Sequence, residues 1–238
     1  MQAAQQQQLQ HMLCIAIDME RYPAMLELVS PYDNISLSVG VHPNVTEGEE
    51  PSVERLMQLA SHPKVIAIGE TGLDYFHSSG DLEWQKQRFI NHIQVAKALK
   101  KPLIIHTREA GHDALEILAE QGAEQVGGII HCFTEDWAYA EKALALNFYI
   151  SFSGIVTFKN AAAIQDVAQR IPADRFLIET DSPYLAPMPF RGKPNYPLYV
   201  KHVAEKIAEL RGTSLAEIAQ LSTDNFNRLF AAHLPISQ

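Results

Sequence analysis

The chain has 238 residues, of which 47% are hydrophobic, a size that fits one large domain or two small ones with a sizeable core. A net charge of -9 excludes a general polyanion-binding surface, although a cation-filled cleft still attracts phosphate locally. The two cysteines, Cys14 and Cys132, sit in apolar runs and read as small buried hydrophobes, which excludes a disulfide framework. Met1–Gln10 have neither the basic start nor the apolar run of a signal peptide, and no later apolar stretch approaches the roughly 20 residues that span a bilayer. The expectation is one cytoplasmic, soluble domain over residues 1–238 with no membrane partner.

Taken in chain order, short apolar runs alternate with longer stretches of helical period. Strands are predicted at Met12–Ile17, Ile35–Val41, Val65–Ile68, Leu103–Ile105, Gly128–Ile130, Tyr149–Ser153 and Phe176–Ile178. Most of these runs are continuously apolar, as in a parallel sheet covered on both faces. Helices are predicted at Glu83–Lys100, Ala110–Gln121, Asp136–Leu146, Ala161–Ile171 and Leu198–Arg211. Ser214-Leu-Ala-Glu217 reads as a capping box and Thr223-Asp-Asn225 as a second helix start, so a final pair of short helices is expected.

Polar side chains mark where the apolar runs stop. His42 follows the second, Glu70 the third, His106 the fourth and His131 the fifth, while Asp181 ends Phe176–Asp181. In parallel α/β proteins one end of the strands carries the chemistry, so these imidazoles and carboxylates point to a shared metal site. Singly, each is better read as a satisfied structural group, and only their co-occurrence carries the inference. Asp181 and Glu179 share a strand face, which puts Glu179 one layer deeper, where a carboxylate needs a partner. His131 is expected to face the site and Cys132 to turn outward. His11, His62, His77, His92, His112, His202 and His233 lie in turns, in or beside helices, or near the ends of the apolar framework, and are expected to be structural. Asp74 reads either as a cap or as support for Glu70, and Arg108 as a phosphate clamp or a surface ion pair.

These segments carry a resemblance. Gly40-Val-His-Pro43, Gly69-Glu-Thr-Gly-Leu-Asp-Tyr75, Ile105-His-Thr-Arg108, His131-Cys-Phe-Thr134, Glu179-Thr-Asp-Ser-Pro-Tyr184, Arg191-Gly-Lys193 and Thr223-Asp-Asn-Phe226 resemble the TatD family of metal-dependent deoxyribonucleases. The resemblance implies a TIM-type (β/α)₈ metallohydrolase barrel with a one- or two-metal centre that hydrolyses phosphodiester bonds in DNA, at single-stranded segments or ends. By position, Glu70 would bridge two metals, His106 and His131 would hold one, and Asp181 would hold the other and handle the nucleophilic water. His42, Arg108 and Arg191 would lie nearer the substrate phosphate. The ion is left open among Mg²⁺, Mn²⁺ and Zn²⁺.

One departure accompanies the match. The family's barrel begins with a strand ending in His-x-His, and this sequence contains no His-x-His. Met1–Gln10 read as the remnant of the helix after that strand, so strand one is expected to be missing and seven strands are expected. One metal site, of Glu70, His106 and His131, is then expected intact and a second, of Asp181 and Glu70, weakened, with activity impaired. Open edges at Met12–Ile17 and Phe176–Asp181 are expected to favour self-association. A barrel hydrolase acting on a non-nucleic ester or amide and a catalytically weak scaffold are the competing expectations.

Overall fold

A computed structural model of the chain describes residues 8–234. The helix remnant expected at Met1–Gln10 falls mostly outside the described residues, and Gln8–Gln10 form a turn and irregular chain. Strands and helices alternate in an α/β fold, and the strand order in the seven-stranded sheet is that of the sequence. Contacts divide the described residues into two compact units, one of 11–129, 146–148 and 229–234, the other of 8–10, 130–145 and 149–228. Among the described residues no helix is long and apolar enough to cross a membrane.

The first unit holds β1 (Met12–Cys14), α1 (Tyr22–Val29), β2 (Ile35–Val39), α2 (Val53–Ala60), β3 (Val65–Asp74), α3 (Glu83–Leu99), β4 (Leu103–Arg108) and α4 (Gly111–Glu120). Parallel pairs run β1–β2, β2–β3 and β3–β4. Leu37, Val65 to Ile68, Phe89, Ile93, Leu103 and Ile105 are fully or almost fully buried, as continuous apolarity on a two-sided sheet requires. β1 is shorter than expected, but Ile15–Ile17 stay tied to the strand ends: Ala16 donates to Ser38 Oγ, Glu70 donates to the Ala16 carbonyl and His42 to that of Ile17.

Two strands run further than the apolar runs suggest, which corrects the placing of Glu70 and His106 beyond strand ends. β3 continues through Glu70 to Asp74 and β4 through His106 to Arg108, in the register Gly72↔His106 and Asp74↔Arg108. The register shifts between Ile68 and Thr71, and beyond that irregularity pairing with β4 satisfies a backbone whose side chains look turn-like. Gly72 has φ +137°, and a Cβ on it would sit 2.0 Å from the His106 carbonyl oxygen. Only glycine permits this close pairing.

Helix α3 fixes the loop after β2. Arg88 Nη1 donates to the carbonyls of His42 and Val45, and its Nε donates to Glu50. His92, fully buried one turn on, accepts from the Val41 N–H at 3.0 Å and lies 2.7 Å from the Arg88 carbonyl through Nδ1. Burial pushes the His92 pKa down to about 4, so the ring is neutral and donates from Nδ1.

The second unit contains most of β6 (Phe148–Phe152) and of α8 (Leu215–Phe230), together with α5 (Trp137–Ala145), α6 (Ala162–Arg170), β7 (Phe176–Ile178) and α7 (Val200–Arg211); β5 (Gly128–Ile130) ends where this unit begins. β6 and β7 pair in parallel, with Phe152 opposite Ile178. The expected final pair of helices is instead one helix, α8. Glu217 N–H donates to Ser214 Oγ at its start, but the hydroxyls of Ser222 and Thr223 bond back to the Ala219 carbonyl inside it. Asn225, buried, spends its amide on the carbonyls of Ala173 and Phe176 ahead of and within β7, so the residue that resembles a cap is a tertiary tie. Both cysteines are free and partly exposed rather than fully buried.

Candidate metal centres

In the first unit, β3 and β4 build one cluster. Glu70, Gly72 and Asp74 share a strand face, and the two carboxylates flank a residue without a side chain. The imidazole of His106, register partner of Gly72, spans that gap: Nδ1 lies 3.2 Å from Glu70 Oε1 and Nε2 lies 3.1 Å from Asp74 Oδ2. His42 Nε2 approaches Glu70 Oε1 and His106 Nδ1, each at 3.3 Å, and the Asn44 N–H donates to His42 Nδ1 at 3.0 Å. The rings of His42 and His106 meet edge-on, with centroids 4.3 Å apart. His42, Glu70 and His106 thus converge as a metal-capable group, with Glu70 buried and the imidazoles partly so.

Asp74 is fully buried and saturated. Its Oδ2 receives Asn44 Nδ2 at 2.7 Å, His77 Nδ1 at 2.9 Å and His106 Nε2, while Oδ1 receives the backbone N–H groups of Phe76 and His77. Burial works to raise its pKa, but the hydrogen bonds from His77, Asn44 and His106 prevail and hold the carboxyl well below the usual range.

In the second unit, His131, Glu179 and Asp181 form another metal-capable group, all partly exposed. His131 Nδ1 lies 3.0 Å from Glu179 Oε1, which also accepts the Cys132 N–H at 3.1 Å. Glu179 therefore has the partner that its depth demands. Asp181 sits at φ +58°, a left-handed conformation that Asp tolerates better than most residues, and its carbonyl accepts the Tyr184 N–H. Buried Asn195 holds this turn through the carbonyls of Thr180 and Tyr184. The Cys132 thiol packs on Ser153 Oγ at 3.3 Å, and burial, together with Glu179 and Asp181, pushes its pKa up to about 12, so it offers no thiolate at neutral pH.

Arg108 and Arg191 lie outside both groups. Each is exposed and lies over an aromatic ring, Arg108 over Phe76 at 4.2 Å and Arg191 over Phe158 at 4.4 Å. A third metal-capable group, His112, Asp113 and Glu116, lies on the exposed first turns of α4. By sequence alone Asn44 has no assigned role and His77 reads as a structural turn residue; the signal for their place beside Asp74 is the Gly72 gap between two same-face carboxylates.

Carboxylate and imidazole clusters on an alternating parallel α/β scaffold are the donor sets that a metal-dependent hydrolase uses. The chain belongs to the family of TatD-related DNases, whose model matches residues 1–231. It is 50% identical over 218 residues to the uncharacterized metal-dependent hydrolase YcfH of Escherichia coli, covering 92% of this chain and 82% of that protein. It is 44% identical over 228 residues to YabD of Bacillus subtilis, another uncharacterized metal-dependent hydrolase, covering 95% and 89%. Among solved structures, the TatD homologue YJJV of E. coli superposes with a TM-score of 0.89 at 28% identity, covering 97% of this chain and 90% of that one. The seven strands and their order accord with that fold.

Proposed function

We propose that this chain is a divalent-metal-dependent phosphodiesterase that shortens DNA at single-stranded ends. The observation that carries the reading is the contact between Glu70 Oε1 and His106 Nδ1, 3.2 Å apart, with the proton of His106 committed to Asp74 on the other nitrogen. These two electron-rich atoms share the donor His42 Nε2 in the resting chain and converge closely enough to share a cation instead, and mixed imidazole and carboxylate donors suit Mg²⁺, Mn²⁺ or Zn²⁺. Glu70 and His106 would hold an ion in one unit, and His131 and Asp181 in the other. Bound there, the ion supplies positive charge to phosphate oxygens and acidifies a water.

The chain's own groups do the rest. Asp181 accepts the proton of the attacking water at its carboxylate, and Glu179 holds the ring of His131 in place through Nδ1. His42 donates from Nε2 towards a non-bridging phosphate oxygen, and Arg108 and Arg191 provide guanidinium groups for phosphates along the strand. Attack on phosphorus breaks the bond to the 3′ oxygen, which departs as the alcohol once the proton taken up by Asp181 is returned to it, and the other product is a 5′-phosphate. Overall acidity keeps the grip local to these groups, so base recognition is loose.

The test is hydrolysis of an end-labelled single-stranded oligonucleotide by the purified chain with each of the three ions, beside p-nitrophenyl acetate and a p-nitroanilide. Mononucleotide release that vanishes in chelator and in Glu70→Gln supports the reading. Turnover of the carboxylic ester or amide alone would move the chain to a non-nucleic hydrolase, and no turnover of any substrate would leave a scaffold.

A further inference from the structure

Histidine offers a lone pair on one nitrogen and a proton on the other, so a cluster with two histidines works only if each ring presents the correct atom. The hydrogen bonds on the far side of each ring decide this here. Asp74 is an ionised carboxylate with five donors on two oxygens and nothing to give, so the nitrogen facing it, His106 Nε2, must carry the proton. That leaves the His106 Nδ1 lone pair facing Glu70.

His42 is determined from the opposite side. A backbone N–H can only donate, and that of Asn44 points at His42 Nδ1 from 3.0 Å, so Nδ1 is the acceptor and the proton of the neutral ring sits on Nε2. Nε2, which carries that proton, lies 3.3 Å from both Glu70 Oε1 and His106 Nδ1. Asn44 serves both rings, since its amide also donates to Asp74 at 2.7 Å. Arg88 fastens the backbone between them through the carbonyls of His42 and Val45.

We propose that Asp74 and Asn44 are positioning residues that lock His106 and His42 in the same Nε2–H tautomer but present opposite atoms to the cluster. His106 is then a metal ligand through Nδ1, and His42 is a hydrogen-bond donor through Nε2 rather than a third ligand. The metal and substrate roles rest on the function proposed above, whereas the tautomers do not. A hydrolysis assay that fails therefore leaves this inference standing or falling on its own measurement.

The measurement is the long-range ¹H–¹⁵N spectrum of histidine side chains in the ¹⁵N-labelled full chain, in chelator at about pH 8, where an ordinary imidazole is neutral. His42→Gln and His106→Gln assign the signals. The wild-type chain is expected to show Nε2–H for both residues, a result that needs no destabilising variant. On zinc titration the shift of a ligating nitrogen is expected at His106 Nδ1, while His42 keeps Nε2–H. In Asp74→Asn, whose amide can turn a donor towards His106, Nδ1–H is expected to appear and zinc affinity to fall about 10- to 100-fold, as when the group behind a ligand is lost. Asn44→Ala, which retains the backbone N–H, is expected to keep His42 as Nε2–H. Nδ1–H at either histidine of the wild type, zinc shifts on His42, or unchanged tautomer and affinity in Asp74→Asn would overturn the proposal.

Discussion

His92 couples acidity to stability directly beneath the loop that carries His42. Its folded pKa, pushed down to about 4 by burial, lies below the unfolded value of about 6.5, so the unfolded chain binds the extra proton between those limits. Stability from this residue is therefore complete above about pH 6.5 and is lost as pH falls towards about 4. With 1.36 kcal/mol per pH unit, the loss from this one residue between about pH 7 and pH 5 is about 2 kcal/mol. Protonation would put a second proton on Nε2, where the Val41 N–H already donates at 3.0 Å. Urea unfolding of wild type and His92→Gln at the two pH values isolates the effect, because the other titrations are common to both. The wild type should lose about 2 kcal/mol more than the variant on acidification. Equal losses would refute the assignment of a buried neutral imidazole at this position.

Gly72→Ala should destabilise the chain by about 2–3 kcal/mol and displace His106, because the new methyl group meets the His106 carbonyl at 2.0 Å from a backbone at φ +137°; thermal unfolding and zinc calorimetry read both effects. Asn225→Ala should cost about 1–3 kcal/mol in urea unfolding, since the buried carbonyl of Phe176 loses its donor, while that of Ala173, on an exposed residue, can turn to water. Glu179→Gln should keep the Cys132 contact but weaken divalent-ion binding by about 10-fold or more in calorimetry, through a looser His131 ring.

The pattern of short apolar runs made the strands legible, because a sheet covered on both faces admits little else. β5 and β7 match the expected bounds, while β3 and β4 extend past theirs. The extension was hidden because Gly69, Gly72 and Asp74 are turn residues by local chemistry, and only pairing with β4 makes them a strand. The final helix was misdivided for the related reason that Thr223-Asp-Asn225 looks like a cap while Asn225 answers to Ala173 and Phe176, far away in sequence. The same limit applies to the clusters. Residue type and strand position single out Glu70, His106, His131 and Asp181, but hydrogen-bond direction is a property of the folded chain. Nothing in the sequence shows that the Asn44 backbone faces His42, or that His106 lies between Glu70 and Asp74.

Metal depletion and return decides whether the proposed shortening of DNA depends on a divalent ion and on both carboxylate–imidazole groups. The chelated wild-type chain should release no nucleotide from a labelled single strand and should regain release on adding Mg²⁺, Mn²⁺ or Zn²⁺. His106→Gln and Asp181→Asn, folded by circular dichroism, should each stay at least about 100-fold slower at every ion concentration, more than the loss of a supporting group costs. Release of nucleotides by either variant at the wild-type rate, or by the chelated chain, would show that the metal-dependent reading of these groups is wrong.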